Sequence, residues 1–118
     1  MPDTLDLHNL PEDTAQMQLA MAKSAEKAAG YLRALSNPSR LLLLCQLIEG
    51  EMSVGELEAA LNLGQAYVSQ QLARLRSEGL VTARREGRVV YYSLADQRVT
   101  PVLHVLYEQF CSTPDDIV

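Results

Sequence analysis

Two cysteines, Cys45 and Cys111, are the side chains best suited to covalent chemistry in this chain of 118 residues. A thiolate can attack the sulfur of a persulfide or the oxygen of a peroxide, and a second thiol within reach can resolve the adduct into a closed link. A direct disulfide needs Cβ atoms roughly 3.5–4.5 Å apart. Inserted sulfur atoms relax that demand, so helices held slightly too far apart favour a polysulfide bridge. In a reducing compartment a structural disulfide is a poor default, and redox, metal-binding and plain packing roles all stay open for the pair. Packing alone would make Cys45 a small core hydrophobe and Cys111 an incidental residue near a chain end. His104 and Glu108 stand at i, i+4 and could be recruited to a metal, but an exposed helix pair is the simpler reading. An enzyme such as a thiol peroxidase finds no further support: there are two histidines, no Gly-rich phosphate loop and no Cys-x-x-Cys.

The elements that must position these thiols follow from periodicity and punctuation. Residues 11–35 are rich in Ala, Met, Gln, Lys and Glu and predict one long helix with an apolar stripe through Met17, Ala20, Met21, Ala28, Tyr31, Leu32 and Leu35. Asn37 as N-cap and Pro38 at the first helical position start a second helix reaching about Glu49, whose stripe Leu41, Leu44, Cys45 and Ile48 puts Cys45 on the inward face. Ser53 and Glu56 form a capping-box pattern opening a short third helix. Asn62, Leu63 and Gly64 make a turn into a fourth helix, residues 65–78, ended by Gly79. Two short helices joined by such a turn are a helix-turn-helix pattern. After Leu80 the period switches to alternation on both sides of Gly87, a β-hairpin, and Asp96 is placed to cap a final helix reaching Cys111 with the stripe Val99, Val102, Leu103, Leu106 and Phe110. Pro101 is awkward there unless the first turn is irregular. The fold class is mainly α with a β-hairpin wing, in the order α-α-α-α-β-β-α: one winged helix-turn-helix domain over residues 11–111, with flexible tails at 1–10 and 112–118. The unpartnered stripes of the first and last helices predict a homodimer.

On the fourth helix Val68, Leu72 and Leu75 define the buried face, which leaves Ala66, Tyr67, Ser69, Gln70, Ala73 and Arg74 outward and Gln65 at the exposed N-terminal end. Amide side chains can pair with adenine in a major groove, small ones let the backbone approach, and hydroxyls can hold phosphates. Net charge is −5, yet residues 65–92 hold five arginines (Arg74, Arg76, Arg84, Arg85, Arg88) against two acids, giving +3 there and −8 elsewhere. A basic segment on an acidic body orients one face toward double-stranded DNA. Arg84 and Arg88 flank the hairpin tip, and with Arg85 they are the wing's candidate DNA contacts. The first residues lack both the basic and the apolar region of a secretory signal, and the longest apolar run is too short for a bilayer, so a cytoplasmic protein with no membrane partner is expected.

Taken together, Leu35-Ser-Asn-Pro-Ser-Arg-Leu41, Ser53-Val-Gly-Glu-Leu57, Tyr67-Val-Ser-Gln-Gln-Leu-Ala-Arg-Leu-Arg76, Glu78-Gly-Leu-Val81 and Gly87-Arg-Val-Val-Tyr-Tyr92 resemble the ArsR/SmtB family of repressors. The resemblance covers about residues 25–111. It implies a dimer built from the first and last helices, binding an operator inverted repeat. The family's metal sites are poorly kept. Where its thiolate site has two cysteines this chain has Ser53 and Gly55, and where its last-helix zinc site has four ligands it keeps Asp96 but has Arg98, Gln109 and Ser112. Leu43-Leu-Cys-Gln-Leu47 and Leu106-Tyr-Glu-Gln-Phe-Cys111 resemble instead the dithiol BigR/SqrR branch, which implies that Cys45 and Cys111 sense reactive sulfur species and that no cofactor is needed. A haem-, peroxide- or metal-responsive repressor, with Cys45, His104 or Cys111 as ligands, is the alternative.

Overall fold

The computed structural model describes residues 10–111. The expected tails lie outside these residues, except for Leu10, which opens the first helix. Two compact units divide the chain between Arg33 and Ala34. The first is helical: α1 spans Leu10–Leu35, and along its expected stripe Met17, Met21 and Leu32 are solvent-exposed. Further along the same stripe Ala28 and Tyr31 are half-buried and Leu35 is buried.

The second unit is the winged helix-turn-helix. Helix α2 (Pro38–Leu47) begins where expected: the Asn37 side chain accepts hydrogen bonds from the Ser39 and Arg40 amides at 2.9 and 3.1 Å, with Pro38 in the first turn. It ends two residues early. The expected inward stripe is also corrected: Leu43, Leu44, Leu47 and Arg40 are the buried side chains, Leu41 and Ile48 are half-buried, and Cys45 is exposed. Leucine occupies all four positions from 41 to 44, so composition could not fix the rotation of the helix. Packing against α3, α4 and α5 decided it.

Helix α3 (Val54–Leu61) carries the full capping box: the Ser53 hydroxyl accepts from the Glu56 amide at 3.0 Å and the Glu56 carboxylate accepts from the Ser53 amide at 2.8 Å. Asn62 takes the left-handed conformation, φ 55°, and turns the chain into α4 (Gln65–Ser77). At the end of α4, Gly79 (φ 78°) lets its own amide reach Arg76 O and the Leu80 amide reach Leu75 O, a Schellman closure. The hairpin strands are β2 (Val81–Glu86) and β3 (Val89–Leu94), with Glu86 opposite Val89 and Gly87, φ 65°, leading the two-residue tip. A strand that periodicity did not reveal, β1 (Met52–Ser53), pairs antiparallel with β3, giving a three-stranded sheet of order β1-β3-β2. Two residues are too few to show alternation.

Helix α5 spans Val99–Phe110. Asp96 is not its N-cap, a position held by Arg98; instead its carboxylate accepts the Arg98 amide at 2.9 Å and pairs with the Arg98 guanidinium at 2.6 Å. Pro101 falls in the first turn, where an N–H would have had no intrahelical acceptor. Leu43, Leu44, Leu47, Leu57, Val68, Leu72, Leu75, Leu80 and Val99 are fully buried and form the core under the sheet and α4. Leu103 is buried, but Phe110, at the end of the expected stripe, is exposed.

Candidate nucleic-acid interface and dithiol cavity

The candidate reading face is set by what α4 buries. Val68, Leu72 and Leu75 are fully buried, so the 100° step leaves Gln65, Ala66, Tyr67, Ser69, Gln70 and Arg74 exposed, as expected from the sequence. Gln65 and Ser69 line one cleft of about 420 Å³ with Arg88 and Val89 of the wing, which joins the start of α4 to the hairpin tip. Tyr67 is held from the side, its hydroxyl donating to Ser39 Oγ of α2 at 3.0 Å. Arg74 pairs with Glu78 one turn on, at 3.5 Å.

The three wing arginines do not share one environment. Arg84 is clamped: its guanidinium donates to both carboxylate oxygens of Glu51 at 3.0 and 2.8 Å, approaches Glu86 at 3.5 Å and lies 4.8 Å over the Tyr91 ring. These contacts hold the Glu51 carboxyl below the usual carboxylate range and raise the Arg84 guanidinium further. Arg85 and Arg88 are exposed and, among the described residues, neither makes an ion pair. Glu51 was missed as a partner because strand β1, which brings it beside the hairpin, was missed.

The thiols belong to a different surface. Cys45 from α2 and Cys111 at the end of α5 line one cavity of about 350 Å³, together with Leu41, Leu103, Leu106, Tyr107 and Phe110. The lining surface is entirely apolar. Spacing explains the assembly: Leu41 and Cys45 are one turn apart on α2, and Leu103, Leu106, Tyr107 and Phe110 recur at i, i+3, i+4 and i+7 on α5. Both cysteines are free thiols. Desolvation by these apolar neighbours, and then the proximity of Cys111, push the Cys45 thiol pKa up. The outward turn of Cys45 thus places an exposed thiol on the wall of the same cavity as the second one. Among the described residues, no three His, Cys, Asp or Glu side chains gather as a metal set, and no helix is long and apolar enough to cross a membrane.

Comparison with known proteins agrees with this architecture. Residues 37–83 match the model of the bacterial regulatory protein, arsR family. The chain is 42% identical over 108 residues to the biofilm growth-associated repressor of Agrobacterium fabrum, covering 91% of this chain and 92% of the relative. The Xylella fastidiosa protein of the same name is 44% identical over 92 residues, or 78% of this chain and 81% of that one. Among solved structures, the transcriptional repressor BigR of Xylella fastidiosa superimposes with a TM-score of 0.78 at 42% identity, over 81% of this chain and 98% of the other. Reduced HlyU of Vibrio cholerae gives 0.72 at 41% identity, over 79% and 98%. These relatives are transcription regulators and not enzymes. With the winged helix-turn-helix and these matches across most of its length, the chain belongs to the ArsR family of bacterial regulatory proteins.

Proposed function

We propose that this regulator is a homodimeric repressor that binds an operator inverted repeat through α4 and the wing when reduced, and that leaves it when Cys45 and Cys111 become linked by reactive sulfur species. The observation that carries this reading is the shared cavity: two free thiols on different helices line one apolar pocket. The repressor role is supported by the names of the relatives, and the dimer by the exposed stripe of α1.

The chemistry balances without an external oxidant. One thiolate attacks the outer sulfur of a persulfide RSSH, releasing RSH and leaving Cys–S–SH. The second thiolate then displaces hydrosulfide from the inner sulfur, closing a disulfide. Alternatively each cysteine takes up one sulfur, and the two persulfides condense with loss of H₂S into a trisulfide, which tolerates a wider gap between helices. Either link ties α5 to α2, and α2 packs on both helices of the helix-turn-helix. Half-sites lie about one turn of DNA apart, roughly 34–36 Å, so a small reorientation of the two heads is enough to weaken binding. A coupling of about 1–3 kcal/mol, or roughly 5–150-fold in affinity, is expected.

The test compares operator affinity before and after persulfide treatment for the parent, Cys45→Ser and Cys111→Ser, with the bridge identified by mass spectrometry. Both variants should bind DNA and fail to respond. If either is released as readily as the parent, modification of a single thiol suffices and the dithiol mechanism is wrong.

A further inference from the structure

We infer that the first turn of α2 is a third DNA-contacting element, in which the Ser39 hydroxyl, aligned by Tyr67, donates to a phosphate oxygen of the strand running along the α2 side of α4. This goes beyond docking through α4 and the wing, and it does not depend on the state of the two thiols.

The two flanks of α4 are unlike. Counting 100° per residue from Gln65, Ser69 lies at about 40° and shares with Gln65 the cleft lined by Arg88, whereas Tyr67 and Gln71 lie at about 200° and 240°. Gln70, at about 140°, stands between them on the outward face. With its side chains a helix is about 10–12 Å across and a B-DNA major groove is about 12 Å wide, so a helix lying in the groove has a sugar-phosphate strand along each flank. The wing stands beside one flank. Helix α2 stands beside the other: Tyr67 Oη donates to Ser39 Oγ at 3.0 Å, and the Arg40 guanidinium donates to the Gln71 side-chain oxygen at 2.9 Å.

Hydrogen bonding leaves this corner with one donor in excess. Tyr67 and Ser39 bring two hydroxyl protons and share one bond, so the Ser39 proton has no acceptor among the described residues. Serine and tyrosine hydroxyls are common donors to phosphate, and the bond from Tyr67 polarises the Ser39 O–H. Ser39 is half-buried and Tyr67 is 38% exposed, so the pair can be reached from outside. Its position is fixed from both sides: the Asn37 side chain accepts from the Ser39 amide at 2.9 Å, and the next residue, Arg40, is bound to Ala34 O and to Gln71. A hydroxyl already held in place loses little freedom when its partner arrives. The local charge suits an anion. Neither α2 nor α4 has an acidic residue in its first turn, and the start of α2 is the positive end of its helix dipole.

The experiment begins with the full-length parent selecting a duplex from a randomised DNA pool. Methylphosphonates, which replace a charged phosphate oxygen by a methyl group, are then placed one at a time along both strands of that duplex. Parent affinity should fall about tenfold, equivalent to about 1.4 kcal/mol, at one phosphate for each α4 docked. Ser39→Ala should bind the unmodified duplex several-fold more weakly, whatever its base sequence, and should be indifferent to the methyl group at that one phosphate. Its salt slope should match the parent's, because a neutral hydroxyl releases no counterion. Ser39→Thr keeps the donor and should restore binding, while Tyr67→Phe keeps the ring and should reproduce part of the loss at the same phosphate. A merely structural role for Ser39 predicts a loss that adds in full to the penalty at every phosphate. That additivity, or parent-like binding by Ser39→Ala, overturns the inference and leaves docking through α4 and the wing intact. A parent that retains no duplex from the pool removes the operator reading itself, and this contact with it.

Discussion

The Arg40 guanidinium of α2 donates to the Gln71 side-chain oxygen of α4 at 2.9 Å, while its Nε donates to Ala34 O at 2.6 Å. One residue earlier on α2 and one turn earlier on α4, Tyr67 donates to Ser39. Helix α4 is therefore tied by two side-chain bonds to the same helix that carries Cys45. Charge-assisted bonds of this kind contribute about 1.5–3 kcal/mol, so Arg40→Met should lower the urea midpoint correspondingly. In a double-mutant cycle, Arg40→Met with Gln71→Ala should be less than additive. Additive effects would mean that the Arg40–Gln71 bond carries no energy of its own.

On the reading face, Gln70→Ala should relax base preference at one operator position by about 1–3 kcal/mol, because Gln70 is exposed opposite the buried leucines. Arg88→Ala should weaken all sequences alike and reduce the salt slope by about one. Operator titrations at several salt concentrations and with substituted half-sites distinguish these; parent-like behaviour of both variants means the docking face lies elsewhere.

The Glu51 clamp on Arg84 leads to a gain. Glu51→Gln removes a negative charge beside the wing and frees Arg84 for phosphate, so operator affinity should rise and its salt dependence steepen. The pair is exposed and contributes little to stability. Since the Glu51 carboxyl is depressed, the pair is fully formed above the ordinary carboxylate value and is lost only as pH falls through the lower folded value. Affinity of the parent should accordingly show no Glu51-linked change between about pH 6 and 8. Unchanged or weaker binding by Glu51→Gln would show that Arg84 serves the hairpin and not the DNA.

At Cys45 the thiol, not the thiolate, is favoured by its surroundings. In the Cys111→Ser variant, which retains the desolvation, the pH at half-maximal iodoacetamide reactivity should lie above that of N-acetylcysteine amide. A midpoint at or below the small thiol's value contradicts the desolvated environment.

Assembly is tested by truncation. Removing residues 1–33, which keeps the buried Ala34 and Leu35, deletes the exposed Met17, Met21 and Leu32 of α1 and should convert a micromolar dimer into a monomer by light scattering, while removing residues 1–9 should not. A monomeric intact chain would exclude the proposed dimer.

Local chemistry alone determined most of the elements. The Asn37 cap, the Ser53–Glu56 capping box, the left-handed glycines at 79 and 87 and the three-residue turn before Gln65 each satisfy backbone groups within a few residues, so their signals are complete in the sequence. The exposed face of α4 was equally legible, because Val68, Leu72 and Leu75 are separated by polar or small residues that leave one rotation of the helix. Only the tertiary structure decided the rotation of α2, where consecutive leucines make several faces equally apolar and the partners lie far along the chain. That rotation turned Cys45 from a core position into the wall of a cavity shared with Cys111. It likewise decided which wing arginine is clamped, since the bond from Arg84 to Glu51 spans 33 residues and depends on a two-residue strand. Contacts of that range carry no local periodicity; they exist only once the core has set the distance between the elements.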